Sequence, residues 1–441
     1  MSKMKTPIYD FARRYAESQT MRLHMPGHKG FGPLGFEQLD ITEIAGADSL
    51  YEANGIIAES EQIASALFNC PTFYSTEGSS QCIRAMLFLA TRHNSKIAAG
   101  RNVHKTFLSA AALLDLDVDW LYPEDESTYL SCNISPEILG SYLSSCEKLP
   151  GAVYVTSPDY LGNLLDIAGL SAVCHRYDVL LLVDNAHGAY LKFLPQSIHP
   201  IDLGADLCCD SAHKTLPVLT GGAYLHIRNA KLAQGTKNAM ALFGSTSPSY
   251  LILQSLDLAN AMLADPAYIQ KLSDLCLKTR DVCHQLNQHG ISADFGSEPL
   301  KITLRPGSFG YTGIQLADAL RNCGIECEFA DPDFLVLMLT PAITDMDLQQ
   351  LVAVLTSLPR CAPIQSVPPS IGRPERKISI REALLSPSET IPVENCLGRI
   401  LAAASVGCPP AVPIVVCGEE IDENAIRCFQ YYGIENCTVL K

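Results

Sequence analysis

The segment Leu180-Leu181-Leu182-Val183 is apolar at every position, and this limits the possible folds more than any other feature of the chain. A strand with apolar side chains on both faces has no solvent side, so it belongs in a sheet that is covered above and below. Ala152-Val153-Tyr154-Val155 has the same character, and a helical pattern runs between the two from Ile167 to Tyr177. Strand, helix, strand in that order predicts a parallel sheet wrapped in helices. Ligands in such sheets bind at the carboxyl ends of the strands. The residues that follow each apolar run are therefore the ones to read for chemistry.

The Leu180 run ends in Asp184, with Asn185-Ala186-His187-Gly188 behind it. A second run, Ala205-Asp206-Leu207-Cys208-Cys209, delivers Asp210-Ser211-Ala212-His213-Lys214-Thr215. A lysine held in a protein-lined pocket loses its proton more easily, because desolvation disfavours the ammonium form, and can then condense with a carbonyl. An Asp on one strand end and a Lys on another are what pyridoxal phosphate needs: a partner for its pyridinium and a Schiff-base amine. Thr72 to Thr76 reads as a strand entering Glu77-Gly78-Ser79-Ser80, with a helix from Gln81 to Thr91. Backbone N–H groups and hydroxyls at that helix start form a phosphate cradle or an ordinary cap. After Ile97-Ala98-Ala99, His104 stands near the start of a helix from Phe107 to Leu114, where an imidazole can stack on a flat ring or cap the helix.

The remaining composition narrows the function classes. Lys+Arg 32 against Asp+Glu 47 leaves a net charge of −15, which disfavours nucleic acid and anionic membranes as partners. The 17 cysteines are odd in number, scattered, and contain no C-x-x-C pair; they read as buried thiols in a reducing cytoplasm, with no metal site expected. His24 and His28 have a helical metal spacing, but Pro26-Gly27 between them forbids the helix. Gly30 to Gly35 matches G-x-G-x-x-G by letter, yet no strand precedes it and Pro33 intrudes. The amino terminus carries no signal-peptide pattern. The uncharged run Ile400 to Cys417 is broken by Pro409, Pro410 and Pro413, which predicts buried irregular and strand structure rather than a membrane span.

At 441 residues the chain has room for several domains. Helices are expected over Pro7–Ser18, Glu59–Leu67 and, as one long stretch, Pro248–Asn287. A βαββα pattern follows, with strands at Leu300–Leu304, Glu326–Ala330 and Phe334–Leu339 and helices at Gly313–Asn322 and Met346–Leu358. Cys361 to Pro374 is proline-rich and linker-like. The expected organisation is an amino-terminal arm (1–38), a large domain (39–290), a small α+β domain (291–362) and a carboxy-terminal α+β unit (363–441).

Together these residues resemble the bacterial ornithine/lysine/arginine decarboxylases, a family of fold-type I pyridoxal-phosphate enzymes. Leu23-His24-Met25-Pro26-Gly27-His28-Lys29-Gly30 is similar to that family's amino-terminal signature, and Asp210 to Pro217 to its Schiff-base motif. The resemblance implies a three-layer α/β large domain of the aspartate aminotransferase type and a homodimer or higher homo-oligomer, in a short form without the receiver-like domain. It implies decarboxylation of arginine, lysine or ornithine with pyridoxal 5'-phosphate. Lys214 would be the Schiff-base lysine and Asp184 the pyridine partner; His104 would stack over the ring, with Ala186 beneath it. His187 would face the reacting carbon, while Ser79, Ser80, Ser211 and His213 would hold the phosphate. Glu419 is a candidate for the cationic end of the substrate.

The chain departs from the family pattern at several positions. Asn185 stands where Glu is usual, Glu77 where an uncharged residue is usual, and Cys408 and Ala411 where the family has Tyr and Gly. An aminotransferase or other lyase on the same fold remains open, as does a non-catalytic relative. The match of Ser211 to Lys214 to S-x-x-K lacks the S-D-N and K-T-G partners of penicillin-binding hydrolases.

Overall fold

The computed structural model describes residues 4–123, 128–365, 367–404 and 410–441. The chain first lays down β1 (Thr72–Ser75), β2 (Lys96–Gly100), β3 (Asp117–Leu121), β4 (Ala152–Thr156), β5 (Leu180–Asp184), β6 (Leu207–Asp210) and β7 (Ala223–Ile227). It divides into two compact units, Met1–His93 with Leu180–Gln270, and Asn94–Val179 with Lys271–Lys441.

In the first unit the strands lie in the order β1-β7-β6-β5. β5 and β6 are parallel, with Asp184 opposite Cys209. β7 runs antiparallel to both β6 and β1. Two reversals cancel, so β1 points the same way as β5 and β6, and all three carboxyl ends fall on one edge. Burial of Leu181 to Asp184 and of all of β6 agrees with the expectation from their apolar runs.

The helices α1 (Pro7–Glu17), α2 (Ile56–Phe68) and α3 (Gly78–Thr91) belong to the same unit. The side chain of the residue before α1, Thr6, caps nothing. The cap comes instead from Asp257, whose Oδ2 accepts the N–H groups of Ile8 and Tyr9 at 2.9 and 3.0 Å. The expected helix from Pro248 to Asn287 is two helices, Tyr250–Leu263 and Pro266–Gln288. Pro266 has no N–H to continue the first and is well suited to open the second.

In the second unit β4, β2 and β3 form a parallel set in that order, accompanied by α4 (Lys105–Leu114), α5 (Pro136–Ser145) and α6 (Ile167–Arg176). β3 and α5 were not expected. Asp117 and Asp119 interrupt the apolar signal of β3, and Asp119 is held by Lys96 of the neighbouring strand at 3.0 Å. A four-stranded antiparallel sheet has the order β10-β11-β9-β8, from β8 (Ser292–Phe295), β9 (Lys301–Arg305), β10 (Phe329–Ala330) and β11 (Leu335–Met338). The strand expected from Glu326 shrinks to Phe329–Ala330, because Glu326 turns aside to Arg321, 3.0 Å away.

The carboxy-terminal segment pairs β12 (Ser388–Pro392) with β13 (Asn436–Leu440) around a core of Leu401, Val415, Ile421, Phe429 and Val439. Ile371, from the stretch expected to be a linker, is buried in that core, so this segment is pinned down. In the run from Ile400, residues 405–409, including Cys408 and Pro409, lie outside the described residues. Val412 and Ile414 to Cys417 are buried. Among the described residues no helix is long and apolar enough to cross a membrane.

Candidate active site

Each expected residue in the first unit follows one of the three strands that end on the common edge. β5 delivers Asp184, 2% exposed, whose Oδ1 accepts the N–H of Ala186 at 3.2 Å. β6 delivers Ser211 and then the short helix α7 (Ala212–Thr215), which carries His213 and Lys214. Lys214 Nζ lies 2.7 Å from His187 Nε2, so a residue from the loop after β5 meets one from the loop after β6. β1 leads into α3, and Ser79 in its first turn accepts a hydrogen bond from Ser211 Oγ at 2.8 Å. Ser80 occupies the next position of the same turn.

The loop contacts depend on two glycines. Gly78 opens α3 with a left-handed φ of +69°, and its N–H bonds the carbonyl of Gly221 at 2.7 Å. Gly221 has φ +100°, and a Cβ there would stand 2.9 Å from the Thr76 carbonyl oxygen. A side chain at either position would strain the approach. His213 Nδ1 donates to the Gly222 carbonyl at 2.9 Å, and burial lowers its pKa. Its other ring nitrogen is left as an acceptor in the neutral form. Glu77 is directed to the backbone N–H of Ser245.

Beneath these loops is a polar network that the sequence did not reveal. Asp210 is fully buried; its Oδ2 accepts from His199 Nε2 at 3.0 Å and His226 Nε2 at 3.1 Å, and its Oδ1 accepts from Asn185 Nδ2 at 2.7 Å. Burial alone would raise the pKa of Asp210, but the two histidines prevail and hold it well below the usual carboxylate range. Burial lowers the pKa of His226, and in the neutral form of the ring the proton sits on the nitrogen that faces the carboxylate. His199, Cys208 and Asp210 also stand close enough to hold a metal ion, but the hydrogen bonds already satisfy their facing atoms. Asn185 therefore has a structural partner at the position where the family pattern has Glu.

In the second unit His104 is the N-cap of α4, with Nδ1 accepting the Thr106 N–H at 3.2 Å. The next N–H, of Lys105, bonds the carbonyl of Ala411 at 2.8 Å. Ala411 has φ +59°, the left-handed conformation that the family's glycine adopts without strain. Glu419, expected to meet a substrate cation, is instead 1% exposed and paired with Arg101 at 2.8 Å, and it also accepts the Val416 N–H. Arg101 spans a sequence separation of 318 to reach it, and no local signal marks such a pair.

A family profile described as Orn/Lys/Arg decarboxylase, major domain, matches residues 6–295. An arginine decarboxylase of Bacillus cereus is 30% identical over 97% of this chain and 100% of its own length. One from Bacillus subtilis is also 30% identical, over 97% of this chain and 93% of its own. Among solved structures, the lysine decarboxylase LdcF of Francisella novicida superposes with a TM-score of 0.83 at 18% identity, covering 99% of this chain and 81% of that one. The fold-type I architecture expected from the resemblance is therefore the one observed. With two thirds of its length matched by the family profile and nearly all of it by the Bacillus enzymes, the chain belongs to the Orn/Lys/Arg decarboxylase family.

Proposed function

We propose that the protein decarboxylates arginine to the corresponding amine, with pyridoxal phosphate as cofactor. Family membership makes it a decarboxylase of a basic amino acid, and the relatives named arginine decarboxylase favour arginine over lysine and ornithine. The observation that carries the reading is the 2.7 Å approach of Lys214 Nζ to His187 Nε2, on the strand edge that also presents Asp184, Ser79 and Ser211.

These residues fit the cofactor. An amine, a buried carboxylate and a pair of hydroxyls at the start of a fourteen-residue helix match its aldehyde, its pyridine nitrogen and its phosphate. Lys214 would bond the aldehyde carbon and Asp184 the ring nitrogen. Ser79, Ser80, Ser211 and His213 would hold the phosphate, with His104 and Ala186 against the two ring faces. Bound there, pyridoxal phosphate supplies the electron-accepting ring that loss of an α-carboxylate requires.

The protein's own groups supply position and protons. Asp184, 2% exposed, would stand against the pyridine nitrogen, where a carboxylate helps the ring keep its proton. Decarboxylation consumes one proton, since amino acid plus a proton gives amine plus carbon dioxide. His187 and Lys214, in direct hydrogen-bond contact, are the proton donors for the carbon that loses its carboxylate. An aminotransferase commonly clamps that carboxylate with arginine. Arg305, which ends β9, is paired with Asp294 at 3.2 Å and lies over Phe334, which favours the decarboxylase reading.

The remaining organisation follows the same proposal. The arm carries Met21, Leu23, Met25, Phe31 and Leu34, each more than half exposed. Such apolar exposure supports a homodimer, which sedimentation at falling concentration would test. The described cysteines are all free, which supports a reducing cytoplasm, where the product amine would enter polyamine synthesis. The strands of the four-stranded sheet fall within 292–338 and those of β12 and β13 within 388–440, in support of the divisions at 290 and 362; the arm is read as 1–38.

The test is incubation of the holoenzyme with carboxyl-labelled arginine, lysine and ornithine. Release of labelled carbon dioxide from arginine first is expected, and borohydride should fix the cofactor on Lys214. Failure with all three, together with transamination of another amino acid, would overturn the proposal.

A further inference from the structure

A cavity of about 130 Å³ lies in the second unit, walled by Tyr129, Phe329, Asp331, Pro410, Val412 and Tyr432. Its aromatic walls are held in place: the rings of Tyr129 and Tyr432 meet edge to face at 4.9 Å, and the Tyr432 hydroxyl donates to Asp333 at 3.3 Å. Tyr431 donates to the other oxygen of Asp333 at 2.5 Å, so Asp333 is occupied by two hydroxyls.

Asp331 is different. It is 6% exposed, and its Oδ1 accepts the N–H groups of Asp333 and Phe334 at 2.8 and 2.7 Å. Its Oδ2 has no hydrogen-bond partner among the described residues. A buried carboxylate oxygen without a partner is costly, and aromatic rings beside an anion form a favourable environment for an organic cation. The volume equals that of about four liquid waters, enough for a guanidinium or ammonium head with part of its alkyl stem. Burial, with Asp333 nearby, raises the Asp331 carboxyl to about 7, as expected of an acid without a counter-ion.

The cavity is also linked to His104 within the same unit. Pro410 and Val412 flank Ala411, whose carbonyl holds the N–H of Lys105, the residue after His104. Glu419, by contrast, is already paired with Arg101.

We propose that this cavity binds a small organic cation, a guanidinium or alkylammonium group, with Asp331 Oδ2 as its anionic partner and Tyr129 and Tyr432 as its walls. Two sources share that chemistry: the distal end of the basic amino-acid substrate and the amine product acting from a separate site. The inference deepens the proposed function where the source is substrate, but its binding test requires no turnover, so the two can fail independently.

The test is calorimetric titration of the holoenzyme with methylguanidine, agmatine and the neutral control methylurea. Wild type should bind both cations and not the urea, and Asp331→Asn should weaken cation binding at least tenfold. The amide retains the oxygen that accepts the Asp333 and Phe334 N–H groups, so the fold should survive. Tyr129→Leu, with a several-fold loss, gives the same reading if it does not. A tenfold rise in the KM for arginine at unchanged kcat in Asp331→Asn identifies the substrate's end. Unchanged KM, with agmatine binding lost even when the active site is saturated, identifies a separate amine site. Failure of the cations to bind wild type, or equal binding by Asp331→Asn and Tyr129→Leu, would overturn the proposal.

Discussion

The pair Asn185–Asp210 gives the sharpest test of the buried network. Asn185→Asp places a second carboxylate at the 2.7 Å contact with Asp210. Two full charges at that separation repel by about 6 kcal/mol at an effective dielectric of 20. The protein avoids this by keeping one proton, so the cost is limited to that of protonating an aspartate at the prevailing pH. From an ordinary pKa near 4, that limit is about 4 kcal/mol at pH 7 and about 1.5 kcal/mol at pH 5. The sign follows from linkage: the folded pKa is raised above the unfolded one, so the destabilisation grows as pH rises from about 4 towards 7. Adding Asp210→Asn leaves a single carboxylate in the network and should recover at least about 2 kcal/mol at pH 7, with a flatter pH dependence. Recovery is partial, because His199 and His226 then face an amide. Urea unfolding followed by circular dichroism at pH 5 and 7 measures all three variants. A loss below about 1 kcal/mol at pH 7 in the single variant, or a double variant no more stable than Asn185→Asp, would refute the role given to this pair.

Three further outcomes are expected. Ala411→Gly relieves the left-handed backbone at φ +59° and should stabilise the protein by about 1 kcal/mol; an unchanged melting temperature would count against that strain. Glu419→Gln leaves Arg101 buried without its counter-charge and should cost about 3–5 kcal/mol. Any effect on arginine turnover should then track the loss of folded protein, and a raised KM in fully folded enzyme would return Glu419 to the substrate site. Burial raises the carboxyl of Asp257 to about 6, above its unfolded value, so its contribution to folding stability falls as pH climbs from about 4 to 6, although the Ile8 and Tyr9 N–H groups themselves favour the ionised form. Asp257→Asn should abolish that slope, as read by hydrogen exchange of Ile8 and Tyr9 at the two pH values.

The sequence by itself determined the strand ends and the chemistry attached to them. An apolar run and the residues that follow it are contiguous, so Asp184, His187, Ser211 and Lys214 were legible as strand-end residues, while the parallel pairing of β5 with β6 that puts them on one edge came from the structure. Motif order then identified the family, and the comparisons agree. Local competition explains the misreadings: charges interleaved in β3 hid a strand, and Pro266 divided a helix that periodicity alone continued.

Only the tertiary structure decided which polar groups meet. Asn185 reaches Asp210 across 25 residues, Asp257 caps Ile8 across 249, and Arg101 neutralises Glu419 across 318. An aspartate in a sequence has the same donors and acceptors available wherever it lies. Burial and neighbours decide whether it is held ionised like Asp210, paired like Asp333 or left open like Asp331. Both are set by the folded chain as a whole, because desolvation and hydrogen bonding act on distances that separation along the sequence does not measure.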